Sequence, residues 1–181
     1  KYIALTALTG TFLPVFLAEF ALNQGNINQA LNIYQAVVEY NNLPNINERA
    51  LNIALQFDDI DTALNISKLW TQRYPNDVPA MFYLAHLSLK AHQYHLAAKT
   101  LNQILQLDPN ANIEGILQGI YPESAEARQT LLLTLNQMNQ TENPFILVMI
   151  AGLEAQNGLF ASALHKVNLA LRKRSDTASF I

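Results

Sequence analysis

The chain has 181 residues, a net charge of −3 and no cysteine. This length is enough for one domain or a short repeat array. The absence of cysteine excludes disulfides and cysteine-based zinc sites. Half of the residues are hydrophobic, yet no apolar stretch reaches the roughly 18 residues of a membrane span. Only 14% are charged, so the sequence offers no basic surface for nucleic acid or anionic lipid.

The first segment of the chain is apolar and irregular. It begins at Lys1 without a basic-then-apolar signal segment, so we expect a processed chain or a part of a longer one, with any targeting sequence upstream. Thr9 is a candidate N-cap for a helix. Because Pro14 falls within it, this helix either starts near Leu13 or is kinked. Residues 2–8 are apolar enough to add helix or to mediate self-association.

Four segments of the chain align without gaps, and they cover residues 17–41, 50–74, 84–108 and 150–174. Each has an alanine early in its second predicted helix, at Ala30, Ala63, Ala97 and Ala163. The intervals between these alanines are 33, 34 and 66 residues, the last spanning two units. A period of about 34 residues predicts a solenoid of helical hairpins.

The other repeat positions also fit paired helices. A small residue is needed where two helices cross closely, since a larger one overpacks by roughly 1–3 kcal/mol. Gly25 and Gly158 fall at the turns between paired helices, where positive φ is tolerated, and Asp58 and His92 take the equivalent places. Prolines, which stop helices, close the second and third units at Pro75 and Pro109.

The segment before the last unit departs from this pattern. Leu131 stands near the place of the alanine, and Pro122 interrupts the unit early. We expect a short first helix over about 113–121 and a second helix over about 125–138, with Ser124 as the N-cap of the second. We interpret this segment as a degenerate fourth unit rather than as a bend between two short arrays.

These features resemble the tetratricopeptide repeat family over most of the chain. The resemblance implies an all-α fold, a right-handed superhelical solenoid of about five helix-turn-helix units with the fourth degenerate. We predict a single array over residues 1–181. Its approximate units are 11–44, 45–77, 78–110, 111–142 and 143–176, after an N-terminal extension over 1–10.

No polar cluster in the sequence predicts catalysis or metal binding. His92 and His95 flank a turn that offers too few further ligands for a metal ion. The aspartates within residues 58–61 resemble the start of a calcium loop, but Ala63 and Leu69 replace the glycine and glutamate that such a loop requires. Phosphate-loop and hydrolase motifs are missing from the sequence. We therefore predict a protein that is not an enzyme and binds no cofactor or metal.

In the tetratricopeptide family, the first helices of the units line a concave groove that takes an extended peptide or a helix. Carried over by register, the resemblance implies partner-binding residues at Glu19, Asn23, Asn52, Gln56, Phe82, Tyr83, His86, Lys90 and Gln156. It also places Phe12, Val15, Leu22, Glu48, Leu55, Leu89, Val148 and Gly152 in the groove.

Within this set, Phe82, Tyr83 and His86 form the most suggestive cluster, because aromatic residues are frequent in binding hot spots. Packing of the two aromatic rings against a neighbouring unit explains them equally well. Val15 and Glu19 stand where the family's carboxylate clamp has lysine and asparagine. The groove therefore suits a neutral peptide or an amphipathic helix.

A narrower resemblance concerns the first two units. Residues 16–25 (FLAEFALNQG), 47–55 (NERALNIAL) and 69–70 (LW) are similar to the opening repeats of proteobacterial envelope lipoproteins of the tetratricopeptide family. Some of those lipoproteins are adaptors for a carboxyl-terminal processing protease that trims cell-wall hydrolases. The resemblance implies a location in the bacterial periplasm or at the outer membrane, the alternative being the cytoplasm. An envelope protease or its substrate is then the expected partner.

We thus predict a non-enzymatic scaffold or adaptor that binds a peptide or helix of another protein in the concave groove. The alternative is a structural module that forms homo-oligomers through exposed apolar terminal helices, with residues 2–20 as the contact. We expect no nucleic-acid partner and no membrane span in this chain.

Overall fold

The computed structural model describes residues 2–41, 43–138 and 142–173, and all regular elements in these ranges are helices. They are α1 (Tyr2–Asn23), α2 (Ile27–Asn41), α3 (Pro44–Gln56), α4 (Ile60–Arg73), α5 (Val78–Lys90), α6 (Tyr94–Leu107), α7 (Glu114–Leu117), α8 (Ala125–Asn136), α9 (Pro144–Gln156) and α10 (Phe160–Lys173). None of these helices is long and apolar enough to cross a membrane. Consecutive helices pair, α1 with α2, α3 with α4 and α9 with α10.

One turn conformation recurs between the paired helices. Gly25, Asp58, His92 and Gly158 have φ of 76°, 57°, 57° and 79°. In each turn, the next residue donates its backbone N–H to the carbonyl oxygen five residues earlier, at 2.8–2.9 Å. This is the Schellman arrangement, in which a left-handed residue ends a helix and satisfies one of its last carbonyls. The alignment put these four residues at one repeat position, and the structure gives them one conformation.

The alanines at the repeat period occupy buried positions of the second helices. Ala30, Ala63, Ala97 and Ala163 are all buried, because a methyl group lets two backbones approach more closely than a larger side chain does. Together with the shared turn, they confirm the prediction of an all-α fold of tetratricopeptide type.

The chain divides into two compact parts, and each has its own core. The first part comprises residues up to Ala80, and in it α2 packs on α1, α3 and α4. The second part begins at Met81, where α8 packs on α6 and α9, and α9 packs on α7 and α10. One large cluster of buried apolar residues from α5 through α9 forms the core of this second part.

Helix α1 differs from the sequence expectation. It runs continuously from Tyr2 to Asn23 with Pro14 inside it, so a start near Leu13 and an N-cap at Thr9 are both wrong. Proline lacks an N–H, so the carbonyl four residues earlier, at Gly10, loses its helical donor. Gly10 is exposed, and water can therefore satisfy its carbonyl, which lowers the cost of an internal proline.

The fourth unit is degenerate, as predicted, but its first helix is shorter than expected. Helix α7 is a single turn rather than the predicted 113–121, since Gly119 at φ 72° ends it and Pro122 prevents its continuation. The predicted N-cap of α8 is confirmed: the Ser124 hydroxyl accepts a hydrogen bond from the backbone N–H of Ala127 at 3.1 Å.

Candidate partner-binding face

In the first part of the chain, the predicted polar residues lie on the exposed side of α1 and α3. Asn23, Asn52 and Gln56 are exposed, and Glu19 is partly exposed. In the repeat register, Glu19 is equivalent to Asn52 and Asn23 is equivalent to Gln56. The two residues on each helix are four positions apart, so their side chains lie on the same side of that helix. We call these four residues the α1–α3 face. Phe12 is also exposed there, on the side of α1 that carries Glu19.

Glu19 is held by neighbours within the chain. Nε and a terminal guanidinium nitrogen of Arg49 donate to its two carboxylate oxygens at 2.8 and 2.9 Å, and the hydroxyl of buried Tyr34 also donates to it. The bonds therefore join α1, α2 and α3. Sequence reasoning missed Arg49 and Tyr34, although Arg49 lies on the next first helix, at the register position of Phe16.

These contacts set the ionisation of the cluster. The hydrogen bond from Arg49 is the largest cause that lowers the pKa of Glu19 below its ordinary value, against the opposing effect of burial. Burial and the bond to Glu19 raise the pKa of Tyr34 well above its usual range. At neutral pH, the pair of Glu19 and Arg49 is therefore charged but internally neutralised, so it offers a partner little net field.

In the second part of the chain, the predicted residues lie on α5 and α9, which we call the α5–α9 face. Lys90 and Gln156 are exposed, and Tyr83 is half-buried. Half-buried Phe82 packs against the apolar core. Nδ1 of His86 lies 2.9 Å from the backbone carbonyl oxygen of Ile116, so the imidazole donates to the short helix α7 when Nδ1 is protonated. Phe82 and His86 thus have structural contacts of their own.

A residue that sequence reasoning missed covers part of α9. A Cβ atom added at Gly152 would lie 2.3 Å from the Tyr121 hydroxyl oxygen and 2.8 Å from two ring carbons, so the ring rests directly on this glycine. Burial raises the pKa of Tyr121. The isolated glycine in an apolar helix was the available signal, because such glycines mark close approach. Gly152, which was predicted to line the groove, is half-buried and lies against Tyr121.

The remaining residues that were predicted to line the groove differ in how far they are buried. Leu89 and Val148 are buried, whereas Val15, Leu22 and Leu55 are half-buried and Glu48 is exposed. Beside Tyr121, a cavity of about 190 Å³ lies between α7 and α9, with Val148 in its wall. Within residues 2–41, 43–138 and 142–173, no group of three or more His, Cys, Asp or Glu side chains is placed to hold a metal ion.

No protein-family model matches the chain, and a search of curated proteins finds no match. The chain is similar to two crystal structures of MamA. The first has 14% identity and a TM-score of 0.49 over 94% of each chain. The second has 13% identity and a TM-score of 0.45 over 90% of this chain and 97% of that chain.

The chain is also similar to TTC0263, described as a thermophilic TPR protein in Thermus thermophilus, with 17% identity and a TM-score of 0.44 over 94% of each chain. Likeness at this level says nothing about a partner or an activity.

Replacing the Glu19 carboxylate tests its internal role. We expect Glu19→Gln to lower the free energy of unfolding by about 1 kcal/mol at neutral pH, a modest value because the ion pair is partly exposed. The folded-state pKa of Glu19 is lowered from 4.5, so its contribution is present above that value and is lost as pH falls through the folded pKa. Urea unfolding at several pH values should show the difference from wild type narrowing in acid.

Glu48→Gln is the matched control, since Glu48 is an exposed glutamate on α3, and it should change stability little at any pH. An effect of Glu19→Gln that equals this control throughout would contradict the role of the cluster.

The contact of Tyr121 with Gly152 predicts that the effect of Gly152→Ala on stability changes sign when the Tyr121 ring is removed. Alanine normally stabilises a helix interior over glycine by about 0.5–1 kcal/mol, but at this position it clashes with the ring. We expect Gly152→Ala to be destabilising in the wild-type chain and stabilising in a Tyr121→Ala background, as measured by urea unfolding of all four proteins.

Gly115→Ala serves as the control, because an added Cβ at that helical glycine has open space around it and should not depend on Tyr121. Additive effects of the changes at positions 121 and 152 would rule out the close contact.

Proposed function

We propose that the protein is a non-enzymatic scaffold whose α1–α3 face binds a helix or an extended peptide of another protein. One observation carries the proposal. Consecutive units present polar side chains at matching register positions, with Asn23, Asn52 and Gln56 exposed, while adjacent Ala18, Leu51 and Ile53 are buried. A repeated polar surface on a rigid apolar base suits recognition of an extended ligand.

The chemistry of this face favours an uncharged ligand. Each Asn or Gln amide offers both donors and an acceptor, so it can bond to the backbone or to the polar side chains of a peptide. Glu19 and Arg49 neutralise one another, so the Arg49 guanidinium is already engaged and does not attract a terminal carboxylate. Exposed Phe12 supplies an aromatic anchor of the kind common in binding hot spots.

We propose the α5–α9 face as a second contact for the same ligand class. Tyr83, Lys90 and Gln156 are the residues expected to touch a partner there. Phe82 and His86 contribute chiefly by fixing α5, because their own contacts are with the core and with Ile116.

The finer assignments rest on sequence resemblance. We propose that the protein works in the bacterial envelope and that its partner is a processing protease or a substrate of one, because the first two units resemble those of envelope lipoproteins.

A second candidate function is homo-oligomerisation through the terminal helices. It is favoured by the exposure of Leu13, Phe16, Leu17 and Phe20 on α1.

Paired charge substitutions test the α1–α3 face. We expect Asn52→Lys/Gln56→Lys to weaken partner binding at least tenfold, because two cations replace neutral amides in the contact. The matched control is Asn65→Lys/Gln72→Lys, which adds the same charge to exposed positions of α4 in the same unit. Tagged wild type captures proteins from separate envelope and cytoplasmic extracts. A protein so identified is then purified, and its affinity for all three chains is measured by calorimetry.

Loss of binding by the α3 variant alone supports the face, and the extract that yields the partner tests the location. Equal affinity for both variants would place the contact elsewhere. The absence of any partner in either extract would contradict a scaffold role.

A further inference from the structure

A cavity of about 190 Å³ lies between the short helix α7 and α9. It is larger than an engineered apolar cavity of about 150 Å³ that holds benzene, so it has room for a ligand of about six non-hydrogen atoms. The described residues that line it belong to the second part of the chain, and neither α1 nor α10 contributes one. The cavity is therefore distinct from the exposed sides of the first and last described helices.

The cavity coincides with the degenerate fourth unit. Regular first helices such as α3, α5 and α9 have 13 residues, whereas α7 has four. Gly119 then takes a φ of 72°, and the chain returns to α9, where the Tyr121 ring rests on Gly152. Residues of α7, of this irregular segment and of α9 thus enclose the cavity.

The walls of the cavity are held in place by contacts of their own. Leu117 and Met149 are buried members of the core cluster, and Tyr121 packs against the same cluster. The backbone carbonyl oxygen of Ile116 lies 2.9 Å from Nδ1 of His86 on α5. The cavity is therefore formed before a ligand binds, which reduces the ordering that binding would cost.

One charged side chain, that of Glu114, lines the cavity in the described part of the chain. It is half-buried, and the ion pairs among the described residues involve other carboxylates, those of Glu19, Glu142 and Glu154. Burying a carboxylate against apolar groups without a partner costs free energy. An anionic or uncharged apolar ligand would add to this cost, whereas a cationic group would offset it.

The other lining residues suit a ligand that is apolar over most of its length. Leu117 and Met149 offer contact to a hydrocarbon stem. Tyr121 and Phe145 supply aromatic rings, which attract cations at their faces. A primary ammonium group has three N–H donors, for which the Glu114 carboxylate is an acceptor. A lysine side chain combines this head group with a flexible four-carbon stem.

The cavity lies on the side of α9 that was predicted to meet a partner. Val148, Gly152 and Gln156 are spaced four residues apart, so they share one side of the helix. Val148 lines the cavity, Gly152 lies under the Tyr121 ring, and Gln156 is exposed. A peptide that contacts Gln156 therefore lies on the same side of α9 as the cavity.

We propose that this cavity binds the side chain of a lysine on a peptide ligand, with the ammonium group at Glu114 and the stem between α7 and α9. The proposal deepens the contact proposed at the α5–α9 face, and it rests on the scaffold function for the origin of the peptide. Since the amides of the α1–α3 face favour an uncharged segment, the expected ligand has a lysine within a sequence otherwise poor in charge.

Small probes test the cavity without a partner protein. The lysine probe is Nα-acetyl-lysine methylamide, the corresponding norleucine derivative lacks the ammonium group, and n-pentylammonium is a free amine. Each is titrated into the isotope-labelled 181-residue chain, and the amide chemical shifts of Gly119 and Gly152 give the dissociation constants. We expect a Kd on the order of 1 mM for the lysine probe, given its small size, and binding of the norleucine derivative to be roughly tenfold weaker or more.

A charge-removing variant tests the role of the carboxylate. Glu114→Gln keeps the shape of the side chain, and its amide spectrum shows whether it folds. It should weaken binding of the lysine probe roughly tenfold or more and should not weaken binding of the norleucine derivative. Glu126→Gln is the matched control, since Glu126 is an exposed glutamate on α8 that does not line the cavity, and it should bind as wild type does.

Three results would overturn the proposal. One is equal binding of the lysine and norleucine probes, or a Glu114→Gln variant that binds the lysine probe as wild type does. Another is binding of n-pentylammonium without the lysine probe, which would assign the cavity to free amines. The third is binding of none of the probes. Because no partner takes part, these results concern the cavity alone, whereas failure of partner capture from the extracts counts against the scaffold function alone.

Discussion

The close crossing of two helices at a small side chain is the constraint on which the rest of this structure depends. A buried alanine in each regular unit lets the paired backbones approach. The turn before it needs a residue at positive φ, which glycine supplies twice and Asp58 and His92 supply at some conformational cost. Because these two features repeat about every 34 residues, the position of a residue within its repeat determines the side of the helix on which it lies. No hairpin of this size buries its apolar stripe alone, so each unit needs a neighbour.

The same stacking explains the surfaces. Where a unit has neighbours, the stripes of its helices are buried, as with Leu101 and Leu105 in α6. In the first and last helices that the structure describes, residues of the same register, such as Leu17 and Leu164, lie exposed. Asn23, Asn52 and Gln56 are exposed beside these stripes on α1 and α3. A single packing rule thus accounts for the fold and for which sides of the helices are buried.

Much of the fold could be predicted because its signals are local and repeated. The alanine period, the turn residues and the Ser124 cap each act over a few residues, and the structure has them where the sequence indicated. The extent of α1 and the length of α7 could not be predicted, since continuation through Pro14 and termination at Gly119 depend on tertiary surroundings. The site was harder still. The ion pair of Glu19 with Arg49 joins residues thirty apart, and Tyr121 reaches Gly152 from an irregular segment that the register does not describe.

The most direct measurement of the central constraint is equilibrium unfolding of Ala97→Leu beside Ala161→Leu. Ala97 is fully buried in the cluster that contains residues of both α5 and α6, whereas Ala161 is exposed on α10. We expect the first change to lower the free energy of unfolding by roughly 1–3 kcal/mol through overpacking and the second to stay within about 0.5 kcal/mol of wild type. Equal, small effects of both substitutions would contradict a close crossing at Ala97, and with it the register from which the surfaces are assigned.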